Sequence, residues 1–179
     1  MQALVLLADG FEEVEALTPI DLLRRAGVTI TTASISDSQD VMGSHNVIVK
    51  ADTLLKNVAD KAYDMVILPG GGVGTQNLGK SELVTGLLKR QYSADKYVAA
   101  ICAAPTILPK AGINGHKMTC YPAMADALDP QLYCNERVVV SGKVITSRSA
   151  GTAMDFALEL IKTLLGEAKM QEIKAQIVY

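Results

Sequence analysis

Short apolar runs alternate along the chain with segments of helical period, the pattern of a βα-repeating parallel sheet. Ala3–Ala8 is continuously apolar, as expected of a strand covered on both faces. Glu13–Arg25 then carries Val14, Leu17, Ile20, Leu22 and Leu23 at helical spacing, with Gly27 just past its end and Pro19 expected to bend or loosen its first turns. Val28–Ile35 alternates with threonines and predicts a second strand. Val41–Val49, interrupted by Gly43-Ser44, predicts an irregular hairpin. Tyr63–Leu68 is a further buried strand that ends at Pro69-Gly70-Gly71-Gly72, and Ser81 can cap a helix running to about Tyr92. Tyr97–Ile101 predicts a strand and Ala103–Ala111 a helix closed by Gly112. Val138–Ser147 reads as two short strands joined by Ser141-Gly142, followed by helices over 151–165 and 167–177. No linker, repeat or low-complexity stretch interrupts this series, so residues 1–179 are expected to form one α/β domain.

The bulk properties narrow the function classes. With 179 residues and 49% hydrophobic content, the chain buries enough surface to fold without a metal or disulfide. A net charge of −2, no basic block and 4% aromatic residues with no Trp argue against nucleic-acid partners and anionic membranes. The N-terminal run lacks a basic start and reads as a strand rather than a signal peptide. No apolar stretch approaches the roughly 20 residues a membrane span needs. The three cysteines match no zinc spacing, so no metal is expected and reduced thiols in the cytoplasm are the plain reading.

The chemistry concentrates at Val98-Ala99-Ala100-Ile101-Cys102-Ala103-Ala104-Pro105. A buried strand runs into Cys102 and a helix is expected directly after it, the arrangement of a nucleophile elbow with Cys in place of Ser. A helix N-terminus there would favour thiolate over thiol, and the small neighbours leave room for a substrate or peroxide. A free Cys is also a common buried structural residue, and Cys120 and Cys134 are read that way. Activation calls for a partner. The two histidines, His45 and His116, follow no strand that would aim them at Cys102 and are read as surface residues. In Asp9-Gly10-Phe11-Glu12-Glu13-Val14-Glu15, Glu15 is the candidate: its carboxyl could simply complement the helix dipole. Alternatively, partly desolvated and protonated, it could donate to the sulfur.

Gly74-Thr75-Gln76-Asn77-Leu78-Gly79-Lys80-Ser81 matches the Walker A pattern. It is declined, because Pro69–Val73 separates it from the strand that a phosphate loop would join directly, and no later strand ends in an acidic magnesium ligand.

Four blocks together resemble the DJ-1/ThiJ/PfpI family: Ala3 to Glu15, Asp64 to Gly71, Ala99 to Pro105, and Thr146 to Thr152. The resemblance implies a flavodoxin-like three-layer α/β/α sandwich with a mostly parallel central sheet, assembled as a homodimer. It puts the nucleophile on Cys102, the acidic partner on Glu15 and an oxyanion hole on the N–H groups of Gly71 and Ala103. Gly70, Tyr121 and His45 are implied as site-lining positions. Tyr121 stands where many members carry a His, and His45 where some relatives carry an Arg. The implied activities are cofactor-free conversion of methylglyoxal or glyoxal to hydroxy acids and removal of early glycation adducts, in oxidative or carbonyl stress. Sensing of oxidants, chaperone activity and peptidase activity are the other activities attributed to the family, with peptidase weakened by the missing His. The expected partner is a small aldehyde or glycated substrate, with no cofactor.

Overall fold

A computed structural model describes all residues, Met1–Tyr179. In chain order the strands and helices are β1 (Gln2–Leu7), α1 (Glu13–Arg25), β2 (Thr29–Ser34), β3 (Asp40–Met42), β4 (Ile48–Lys50), β5 (Thr53–Leu54) and β6 (Met65–Leu68). They continue with α2 (Gly72–Lys80), α3 (Glu82–Ser93), β7 (Tyr97–Ile101), β8 (Val138–Ser141), β9 (Val144–Ser147), α4 (Ala153–Leu165) and α5 (Glu167–Gln176). Seven strands form one sheet in the order β5-β2-β1-β6-β7-β9-β8, parallel throughout except for β8, which runs antiparallel to β9. The fold is the flavodoxin-like α/β sandwich.

The continuous apolar strand explains the layering. Successive side chains of a strand point to opposite faces. In β1, Ala3, Val5 and Leu7 therefore join one core with α1 and α4, while Leu4, Leu6 and Ala8 join the other with α2 and α3. Neither face is open to water, so the strand needs no polar residue. The β3–β4 hairpin stands outside the sheet and docks on the start of α1 through the Ser44 N–H to Phe11 carbonyl bond.

Two expectations are corrected. The segment after Cys102 is not an α-helix but two short 3₁₀ turns, Ala104–Ile107 and Pro109–Ala111. Pro105 and Pro109 lack an N–H, and the ring of Pro109 would collide with the carbonyl four residues earlier in an α-helix. The chain takes i→i+3 bonds instead, such as Thr106 N–H to the Ala103 carbonyl. The β8–β9 turn is Gly142-Lys143, with Ser141 still paired in the strand. The segment leading to Tyr121 carries no regular strand, and Pro122 opens another 3₁₀ turn. By contrast, Pro19 leaves α1 continuous from Glu13 to Arg25. The Walker-like stretch lies within α2 and its C-cap, where no phosphate loop exists. Ser81 does cap α3, its Oγ accepting from Val84 N–H at 3.3 Å.

Candidate active site

The strand order reverses at β1: α1 leads to β2 on one side, while β6 and β7 lie on the other. Ligand sites of open α/β sheets form beyond the strand C-termini at such a switch point. Three chain segments meet there: the start of α1 after β1, Pro69–Gly72 after β6, and Cys102 after β7.

Cys102 is half-buried and holds a left-handed backbone, φ +65°, which costs energy in any residue but glycine. The conformation is fixed from both sides. Cys102 N–H donates to the Ser147 carbonyl at 3.0 Å, and its carbonyl accepts from Tyr121 N–H at 2.7 Å. The reversal turns the side chain off the strand toward the N–H groups of Gly71 and Ala103, which favour the thiolate. Gly71 is the N-cap of α2, so the helix N-terminus that faces the thiol belongs to α2 and not to the segment after Cys102.

Glu15 is 1% exposed. Its carboxylate accepts the Gly70 N–H at 3.0 Å, and the Cys102 thiol and the Ala150 N–H act on it as further donors that favour its charged form. Gly70 is the spacer of this pair: a Cβ there would stand 2.5 Å from Cys102 Cβ and 2.5 Å from Glu15 Oε2. Burial pushes the Glu15 carboxyl up to about 7, against the pull of its hydrogen bonds. Burial also pushes the Cys102 thiol up, and the charge of Glu15 adds to this, while the Gly71 and Ala103 N–H groups oppose it. The expected lowering of the thiol by its own helix is therefore corrected. The two groups are coupled: a charged Glu15 holds the proton on the thiol, while the Gly71 and Ala103 N–H groups favour the thiolate.

A cavity of about 590 Å³ opens over the sulfur, lined by Cys102, Gly71, Ala103 and Tyr121 among others. Glu15 and Gly70 lie behind the sulfur, outside the lining. His45 lies outside it as well. This exposed side chain on the hairpin pairs with Glu13 at 3.0 Å and approaches Glu12 at 3.5 Å, and Glu12 in turn borders the cavity. His116 is exposed on the far turn, its N–H bound to Ser141 Oγ. Cys120 is fully buried, and burial pushes its thiol up to about 11, consistent with a structural role. Sequence reading did not single out Glu12, Thr75, Lys80, Thr106 or Lys110, which complete much of the lining. The N-cap of α1, helix α2 and the 3₁₀ turns bring them to one place, and no local pattern assigns them to a common site. The residues at the sulfur offer a nucleophile, a proton store and two N–H donors; Glu12, Glu13 and His45 form the only cluster of metal-ligand type, and its groups are already satisfied by one another and by Ser44.

Comparison with known proteins agrees with this geometry. The chain is 44% identical over 174 residues to the protein dj-1beta of Drosophila melanogaster, covering 96% of this chain and 93% of that one. It is 34% identical over 174 residues to the glutathione-independent glyoxalase DJR-1.2 of Caenorhabditis elegans, covering 96% and 92%. The solved structure of oxidized Toxoplasma gondii DJ-1 superposes with a TM-score of 0.97 at 38% identity, covering 99% and 98% of the two chains. The model of the DJ-1/PfpI family matches residues 1–163. An elbow cysteine backed by a buried glutamate, within a fold matched along nearly its whole length, places this chain in the DJ-1/PfpI family.

Proposed function

We propose that the protein is a cysteine-dependent, cofactor-independent glyoxalase or deglycase that converts methylglyoxal or early glycation adducts in carbonyl or oxidative stress. The observation that carries this reading is the Cys102–Glu15 pair beneath a cavity bordered by the Gly71 and Ala103 N–H groups. A relative at 34% identity bears the name of a glutathione-independent glyoxalase.

In the proposed reaction the Cys102 thiolate adds to the aldehyde carbon of methylglyoxal. A C–S bond forms, the carbonyl π pair moves to oxygen beside the two N–H donors, and the proton of Glu15 ends on that oxygen. Glu15, next to the sulfur, then takes the hydrogen of the same carbon as a proton, and a proton returns at the neighbouring carbon. The first carbon thereby reaches the oxidation level of a thioester while the ketone is reduced to an alcohol. Water cleaves the thioester, releasing lactate and the thiol. Methylglyoxal and water account for every atom, and no external electron acceptor enters.

Purified protein should consume methylglyoxal and release lactate, and Cys102→Ser should abolish both. Unchanged lactate formation by that variant would overturn the proposal. A second reading, an oxidant-sensing thiol, draws support from the solved relative in an oxidized form: Cys102 passes to sulfenic and sulfinic acid with Glu15 bonding the added oxygen. Peptide mass spectrometry after mild peroxide tests it, and oxidation of Cys134 ahead of Cys102 would argue against it. Peptidase activity finds no support, since neither histidine borders the cavity.

We further propose a homodimer built on α1 and the hairpin, where Val14, Leu17, Met42, Val47 and Ile48 are all exposed. Three free cysteines fit a reducing cytoplasm, and no helix is long and apolar enough to cross a membrane.

A further inference from the structure

The cavity over Cys102 is larger than a three-carbon dicarbonyl requires. Its volume of about 590 Å³ falls in the range of roughly 300–1,000 Å³ that holds drug-sized ligands. Its charge is also unusual. Lys80, at the end of α2, and Lys110, in the second 3₁₀ turn after Cys102, both line it. Each of the eleven ion pairs in the structure is made by other residues, so both ammonium groups are free. The one carboxylate in the lining, Glu12, is engaged by Ser44 Oγ at 3.0 Å and faces His45.

A second, independent feature points the same way. Thr75, on the α2 wall of the cavity, is 5% exposed, and its buried hydroxyl has no hydrogen-bond partner. A buried polar group without a partner is destabilising, and such a group in a cavity wall suits a ligand that supplies an acceptor. Two unpaired cations and a hydroxyl donor in the walls of the same cavity as the Cys102 sulfur suit a ligand with a carbonyl at one end and an anion at the other.

We propose that Lys80, Lys110 and Thr75 form an anion-recognition subsite, so that the preferred substrates are α-oxoaldehydes with a carboxylate or phosphate tail rather than neutral methylglyoxal. The inference rests on the carbonyl-converting reading given above and adds the substrate class. The covalent steps are unchanged, because the tail takes no part in them. Lys80 and Lys110 are specificity-determining residues here. They hold the end of the substrate that does not react, and so fix which aldehydes reach the sulfur.

The test uses the intact protein and the Lys80→Met/Lys110→Met double variant, with Lys80→Arg/Lys110→Arg as the charge-conserving control. First, Cys102 is alkylated in parallel with anionic iodoacetate and neutral iodoacetamide. The ratio of the two rates is independent of turnover and of the thiol's own reactivity. It should fall about fivefold or more in the Met variant, as expected for two nearby charges in a partly solvated site, and be restored by the Arg pair. A ratio unchanged in the Met variant overturns the subsite. Second, kcat/KM is compared for 4,5-dioxopentanoate, hydroxypyruvaldehyde phosphate and methylglyoxal. The intact protein should favour the anionic compounds, the Met variant should lose that preference, and the larger loss identifies carboxylate or phosphate. Equal preference in both proteins overturns the substrate class. If no compound is turned over while the alkylation ratio still falls, the anion subsite stands and the enzymatic reading fails.

Discussion

Glu13 and Glu15 are the same residue type, two positions apart on the first turn of one helix, and both are buried, at 8% and 1% exposure. Their acidities move in opposite directions. At Glu13 burial works against ionisation, but the His45 ring, the His45 N–H at 2.7 Å and the Ser44 hydroxyl outweigh it and hold the carboxyl at about 2. His45 is in turn raised above its ordinary value by Glu13 and Glu12. At Glu15 burial wins: its partners are the Gly70 and Ala150 N–H groups and a thiol, with no cation near, and the carboxyl rises to about 7. Successive helical residues point about 100° apart, so positions 13 and 15 face different neighbours. One carboxylate fastens the hairpin to the helix, and the other has its acidity weakened beside the Cys102 thiol. Exposure alone does not tell them apart, whereas the inventory of donors and charges does.

The comparison breaks most visibly in turnover. Glu15→Gln should lower methylglyoxal conversion by roughly a hundredfold or more, the usual contribution of a positioned acid–base group. Glu13→Gln should lose far less, because its carboxylate bonds the hairpin and not the sulfur. Steady-state rates of the two variants decide it, and equal losses would remove the distinction.

Stability against pH gives the next contrast. The folded-state carboxyl of Glu15 lies above its unfolded value of 4.5, so folding favours the protonated form. Its contribution is complete below about pH 4.5 and is lost as pH rises through about 7, by about 3 kcal/mol. Glu13 behaves oppositely, contributing above about pH 4.5 and losing that contribution as pH falls toward 2. Denaturant unfolding from pH 4.5 to 8 should show a downward slope in the wild type that Glu15→Gln removes. An unchanged slope would show that Glu15 is not raised.

Each carboxylate is also matched by a glycine. A Cβ at Gly70 would meet Cys102 Cβ and the Ile101 carbonyl, whereas the three atoms nearest to one at Gly43 all belong to the Glu13 side chain. Gly70→Ala should therefore cost about 1–3 kcal/mol and disturb the thiol, as overpacking does. Gly43→Ala should cost less, since a side chain can swing aside. Unfolding midpoints together with alkylation rates separate the two. The smallest effect concerns the coupling of Glu15 to Cys102. Wild-type Cys102 alkylation should show two inflections with pH, and Glu15→Gln a single one between them.

Much of this was legible in the chain. Short apolar runs marked β1 and β7, helical apolar spacing marked α1 and Ser81 marked the start of α3, because burial and capping act on local sequence directly. The small residues around Cys102 and the Glu-rich first loop marked the pair at the site. The elbow helix was misread because two prolines, tolerable singly near a helix start, together enforce 3₁₀ turns. The hairpin role of His45, and its distance from the cavity, depend on where a segment outside the main sheet docks.

Local periodicity in the chain was enough for a parallel α/β fold and for the strand-end position of Cys102, since both follow from apolar runs and the turns that end them. Tertiary structure alone decided which of two neighbouring glutamates has its acidity weakened, and which lysines reach the cavity. Those outcomes depend on burial and on partners more than thirty residues away in the chain, and no local pattern records them.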